Sequence, residues 1–129
     1  MANDGTNREI SISDGTTGSR ITIRYRPTSG QIQAAVVSGG TTQAIITKTG
    51  LTTTNFAKVA LKYSQNDFAL WINGIEVGTD TSGLTPTGLN KLSFNIGIDG
   101  FNNFFGKTKC VAVWKEALTD TELQELTTI

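Results

Sequence analysis

The chain has 129 residues and a mass of 13.8 kDa, with 11 basic and 11 acidic side chains that cancel to zero net charge, one cysteine and no histidine. That length holds a single domain over residues 1–129 with one hydrophobic core. A lone Cys110 excludes an internal disulfide framework and a multi-cysteine zinc site, and the lack of histidine removes the usual general base and the Ser-His and Cys-His nucleophile pairs. Zero net charge without a Lys/Arg cluster leaves no electrostatic footprint for a phosphate backbone, so no nucleic-acid partner is expected. No apolar run is long enough for a membrane span, and the polar start Met1-Ala2-Asn3-Asp4-Gly5 does not read as a signal peptide.

Threonine is the most frequent residue and glycine occurs 14 times, a mixture of β-branched residues and turn formers that suits strands and tight turns. Ile10 and Ile12 alternate with polar neighbours up to the turn beginning at Asp14-Gly15. Ile21, Ile23 and Tyr25 alternate with Thr22, Arg24 and Arg26 before Pro27-Thr28-Ser29-Gly30, and Ile32, Ala34 and Val36 follow until Ser38-Gly39-Gly40 closes the run. Each segment reads as a half-buried strand. From Phe56 to Tyr63 the pattern places Val59, Leu61 and Tyr63 on one face, Ser64-Gln65-Asn66-Asp67 turns, and Phe68, Leu70 and Ile72 return. Asn73-Gly74 then predicts a type I′ hairpin turn into Ile75 and Val77, because that turn needs positive φ at both central residues. After a Thr/Gly/Ser/Pro loop over 78–88, Leu92, Phe94 and Ile96 alternate. The loop 99–105 leads into a last strand over 107–114, apolar on both faces, with Cys110 and Trp114 expected in the core. Thr119-Asp120-Thr121-Glu122 is a capping box that predicts one short C-terminal helix through Leu123 and Leu126. The fold class that follows is all-β, an antiparallel sandwich with one terminal helix.

Three stretches in this order resemble the laminin-G-like members of the concanavalin A-like lectin/glucanase superfamily, especially those of phage tail and other virion proteins. They are the strand-turn-strand run from Phe56 to Tyr63 and Phe68 to Gly78 with its Asn73-Gly74 turn; the run from Phe105 to Leu123, similar to the family's closing strand and helical turn; and, more weakly, Ile10 to Gly15 with Arg20 to Tyr25. The resemblance implies a jelly-roll sandwich on a virion or extracellular surface. Family members usually carry a further apolar strand some tens of residues before the equivalent of Ile10, whereas residues 1–9 here are polar. The resemblance therefore implies either a fragment or an edge supplied by another copy, and a homo-oligomer is expected.

Enzymatic relatives hydrolyse β-glucans with paired carboxylates on one strand, about 5 to 5.5 Å apart for retaining chemistry. This sequence has no E-x-D-x-x-E motif; Glu122 and Glu125 fall on the terminal helix, and Glu9, Glu76 and Glu116 are isolated, so no enzymatic activity is expected. The candidate ligand site is the loop in which Phe101, Phe104 and Phe105 interleave with Asp99, Asn102 and Asn103. Aromatic faces stack on the apolar face of a sugar ring while amides and carboxylates bond its hydroxyls. Phe104 or Phe105 could instead plug the sandwich end, and Phe105 reads as core. Trp71, between Leu70 and Ile72, and Tyr25, between Arg24 and Arg26, are further candidates for a ligand face or for burial in a second layer. Asp14, Asp99 and Asn102 offer oxygens for calcium but not the dense D-x-D-x-D spacing of a binding loop, and no cofactor is assigned. Two functions remain open on the residues: a non-catalytic module that binds a glycan or cell-surface receptor, and a structural domain that makes homo-oligomer contacts without a ligand.

Overall fold

In a computed structural model, which describes residues 5–129, the chain forms two antiparallel sheets and one helix. The strands are β1 (Arg8–Ser13), β2 (Arg20–Tyr25), β3 (Ile32–Ser38), β4 (Thr41–Lys48), β5 (Val59–Ser64), β6 (Asp67–Ile72), β7 (Ile75–Asp80) and β8 (Lys91–Ser93), followed by α1 (Asp120–Thr127). The larger sheet has the order β4-β3-β2-β1-β8 and the smaller β5-β6-β7. This is the expected β-sandwich with a C-terminal helix.

Short turns generate most of this topology. Asn73 and Gly74 have φ of 52° and 81°, the paired left-handed geometry of a type I′ turn, and β6 pairs with β7 across it. Gly39 and Gly40, at φ 57° and 79°, do the same between β3 and β4. Strand β4 is missing from the sequence reading. Its signal is present as Ala44 and Ile46 at alternate positions after a Gly-Gly turn, masked by Ile45, which points outward and is 51% exposed.

The inner faces of the two sheets meet around Ile32, Ala34, Val36, Phe68, Leu70 and Ile72, all buried. Strand β7 packs on β4, so the smaller sheet covers one side of the larger and leaves β1 and β8 without a strand above them. Ile10 and Ile12 are consequently only half-buried, while the polar face of the same strand, Glu9, Ser11 and Ser13, is buried. A second, smaller cluster lies on the far side of the small sheet, where Leu123 of α1 packs on Ala69 and Trp71. The predicted capping box forms in both directions: the Thr119 hydroxyl accepts from the Glu122 amide, and the Glu122 carboxylate accepts from the Thr119 amide.

The expected strand over 107–114 does not form. Among the described residues this segment makes no backbone–backbone hydrogen bond, and it runs as an exposed strap across an open groove from β5. Cys110 and Trp114 are exposed, as is Phe105, and none of them is in the core. Alternating apolar residues favour a pleated strand, but a strand requires a neighbouring edge, and here the segment spans from the loop to α1 without reaching one.

Candidate functional site

The loop over 96–104 is fastened to the edge of the larger sheet by its backbone. The Phe104 amide donates to the Phe94 carbonyl at 2.9 Å, the Ile96 amide to the Phe101 carbonyl at 3.3 Å, and the Glu9 amide of β1 to the Asn102 carbonyl at 3.0 Å. Arg8 adds a guanidinium bond to the Asn103 carbonyl at 3.0 Å and stacks over the Phe105 ring, 4.4 Å from its centroid. Asn102 takes the left-handed conformation, φ 52°, that lets the chain turn back at this point.

Side-chain bonds carry the attachment across the sheet. Asn102 Nδ2 donates to Glu9 Oε1 at 2.7 Å, and Arg24 Nη1 on β2 lies 3.5 Å from the same oxygen. Arg24 Nε donates in turn to Gln33 Oε1 at 2.8 Å, and Gln33 Nε2 to Thr47 Oγ1 at 2.7 Å. Strand register places Thr47, Gln33, Arg24 and Glu9 opposite one another on successive strands, so one polar rung runs from β4 to the loop. Glu9 is fully buried, and the Arg24 guanidinium and Asn102 amide give its Oε1 the polar partners that burial away from water demands. The sequence reading passed over Glu9 as isolated. The available signal was that Glu9, Arg24 and Gln33 all lie on the polar faces of alternating strands.

Of the predicted site residues, the structure gathers Asp99, Phe101, Asn102, Asn103 and Phe104 on this loop, with Tyr25 behind them. Phe101 is 61% exposed. Asp99 is exposed and accepts from Asn95 Nδ2 at 3.3 Å. Asn102 and Asn103 are half-buried, the first turned inward to Glu9 and the second bonded through its carbonyl to Arg8. Phe104 packs between Phe94 and Tyr25, with centroid separations of 6.1 and 6.4 Å, so it closes the sheet end. Desolvation by burial raises the Tyr25 hydroxyl above its ordinary pKa. Trp71 sits elsewhere, buried under α1 on the far face of the small sheet and away from the loop. Asp14, the remaining oxygen donor considered for a cation, accepts from the Thr16 amide and hydroxyl at 2.9 and 2.6 Å in its own turn.

Chemically, the loop offers one open aromatic face and one open carboxylate on a backbone fixed at both ends. A family profile described as the concanavalin A-like lectin/glucanases superfamily, Laminin_G_3, matches residues 1–124. An S-layer domain-containing protein from Clostridium thermocellum is similar in structure at a TM-score of 0.48 and 19% identity; the match covers 98% of this chain and 65% of that one. No curated protein sequence matches the chain.

Proposed function

Since the chain belongs to the concanavalin A-like lectin/glucanase superfamily, we propose that it is a non-catalytic binding module displayed on a virion or cell surface, and that it holds glycan at the 99–105 loop. The observation that carries this reading is Phe101, 61% exposed at the tip of a loop whose neighbouring residues are bonded into the sheet. A large apolar ring held in water by an ordered backbone is a ready stacking platform for a sugar face, and little ordering remains to be done on binding. Asp99 lies two residues away and supplies an acceptor for ring hydroxyls. A single shallow site of this kind binds at around the millimolar scale, about −4 kcal/mol, and gains strength from repetition on a surface.

The test is a glycan array followed by titration of the best binder against wild type, Phe101→Ala and Phe101→Trp. Phe101→Ala is expected to lose at least about tenfold in affinity with an unchanged melting temperature, because an exposed side chain contributes little to folding. Phe101→Trp is expected to retain binding. Equal affinity of wild type and Phe101→Ala would remove the loop as the site.

A further inference from the structure

An asparagine followed by glycine is a place where a chain readily modifies itself, because the glycine has no side chain to hinder attack of its backbone nitrogen on the asparagine carboxamide. Asn73-Gly74 is the single such pair in this sequence. Asn73 is exposed at the β6-β7 turn, yet both reacting groups are held. The Asn73 Oδ1 accepts from the Lys58 amide at 2.9 Å, and the Asn73 amide donates to the Lys58 carbonyl at 3.0 Å. The Gly74 amide, which carries the nucleophilic nitrogen, donates to Thr127 Oγ1 at 3.1 Å.

The acceptor comes from the far end of the chain. Thr127 closes α1 and is buried, and its hydroxyl donates to the Leu123 carbonyl at 2.7 Å, which leaves the oxygen free to accept from Gly74. Thr128 follows on the same turn: its carbonyl accepts from Lys58 Nζ at 2.8 Å, and its Oγ1 would lie 2.8 Å from a Cβ on Gly74. The end of the helix is therefore seated directly on the Asn-Gly pair.

We propose that Asn73 is a self-modification site whose rate is set by the seating of α1. To react, the Gly74 nitrogen must lose its proton and turn onto Asn73 Cγ, and while its N–H is committed to Thr127 it does neither. When the helix end lifts, the nitrogen bonds to Cγ, the bond from Cγ to the side-chain nitrogen breaks, and that nitrogen leaves as ammonia with the proton from Gly74. Water then opens the resulting succinimide at either carbonyl, giving an aspartate or an isoaspartate at position 73. The aspartate keeps an oxygen for the Lys58 amide. The isoaspartate routes the main chain through the side-chain methylene, which lengthens a turn that depends on two consecutive left-handed residues and moves Gly74 away from Thr127. The helix end then has no seat to return to, so the modified fraction records the time α1 has spent undocked.

The test warms the full chain at mildly alkaline pH and follows aspartate and isoaspartate at position 73 by peptide mapping and mass spectrometry. Wild type is expected to react at least about tenfold more slowly than a capped peptide spanning Trp71 to Glu76, because the folded turn withholds the nitrogen. Thr127→Val, which drops the acceptor, should raise the rate about tenfold, and Lys58→Met, which removes only the Nζ bond to Thr128, about threefold. Thr127→Ser keeps the hydroxyl and should react as wild type does. Ile21→Val weakens the core away from the turn and should also leave the rate unchanged, which separates helix undocking from general unfolding. Amide exchange over 120–127 should quicken in isoaspartyl molecules and not in Asn73→Asp. A wild-type rate equal to that of the peptide, unchanged rates in both Thr127→Val and Lys58→Met, an equal rise in Ile21→Val, or isoaspartyl molecules with full protection of α1 would each overturn the proposal.

Discussion

Replacing Asn102 separates the two things its side chain and backbone do. Asn102→Ala deletes the 2.7 Å bond to Glu9 Oε1 and leaves that oxygen of a fully buried carboxylate with Arg24 Nη1, 3.5 Å away. Loss of a hydrogen bond to a buried charge costs about 2 kcal/mol. The φ of 52° adds about 1 kcal/mol, because alanine tolerates the left-handed region less well than asparagine. The expected total is about 3 kcal/mol, which for a domain of this size lowers the melting temperature by roughly 10 °C. Asn102→Gly loses the bond but accepts the backbone, so it should cost only about 2 kcal/mol. Urea and thermal unfolding followed by circular dichroism would measure both. If Asn102→Ala stays within about 0.5 kcal/mol of wild type, Glu9 does not depend on the loop; if glycine and alanine are equally damaging, the φ contribution is wrong.

Bonds from the Thr119 backbone, then from its side chain, hold the Glu122 carboxyl below its ordinary pKa. The folded value is therefore lower than the unfolded one, so the stabilisation is present above the unfolded pKa and is lost as pH falls through the folded one. Acid titration should fray α1; Thr119→Ala, costing about 1 kcal/mol, should weaken that pH dependence in the helical circular dichroism signal while the Thr119 backbone bond remains, and Glu122→Gln should abolish it. A Cβ on Gly74 would lie 2.8 Å from Thr128 Oγ1 at a φ of 81°, so Gly74→Ala should cost at least about 1 kcal/mol by urea unfolding and loosen α1 from the β6-β7 turn.

The turns of the β5-β6-β7 sheet and the helix were readable in the sequence because their determinants are local, whereas β4, after the equally local Gly39-Gly40 turn, was hidden by the outward Ile45. Asn73-Gly74 sets its turn through the φ values of two adjacent residues, and the capping residues Thr119 and Glu122 are three apart. Residues whose role depends on distant partners were read less well. Glu9 looks isolated until Asn102, 93 positions along the chain, arrives beside it. Trp71 could face either a ligand or a second layer, and only the seating of α1 puts it under Leu123. The same applies in reverse at 107–114, where strong local alternation exists but the segment bonds to no sheet edge. Within the candidate loop, composition pointed to Phe101 and its neighbours as a group. It could not tell the outward Phe101 from the inward Asn102, since that distinction is made by the polar rung beneath them.

That rung also orders events in time. Strands β1 to β4 follow one another through short turns and can zip together by near-neighbour contacts, whereas β8 and the 96–104 loop must close a long stretch of chain before their first bonds to β1 form. The meander should therefore assemble first and the loop dock late, and the reverse step, undocking with the meander intact, should be the cheapest opening the domain has. Binding strength at Phe101 is then scaled by the fraction of molecules in which the loop is seated. A mild lesion anywhere along the rung, even at Thr47 on the opposite edge of the sheet, would weaken the apparent affinity well before it lowered the temperature at which the fold is lost.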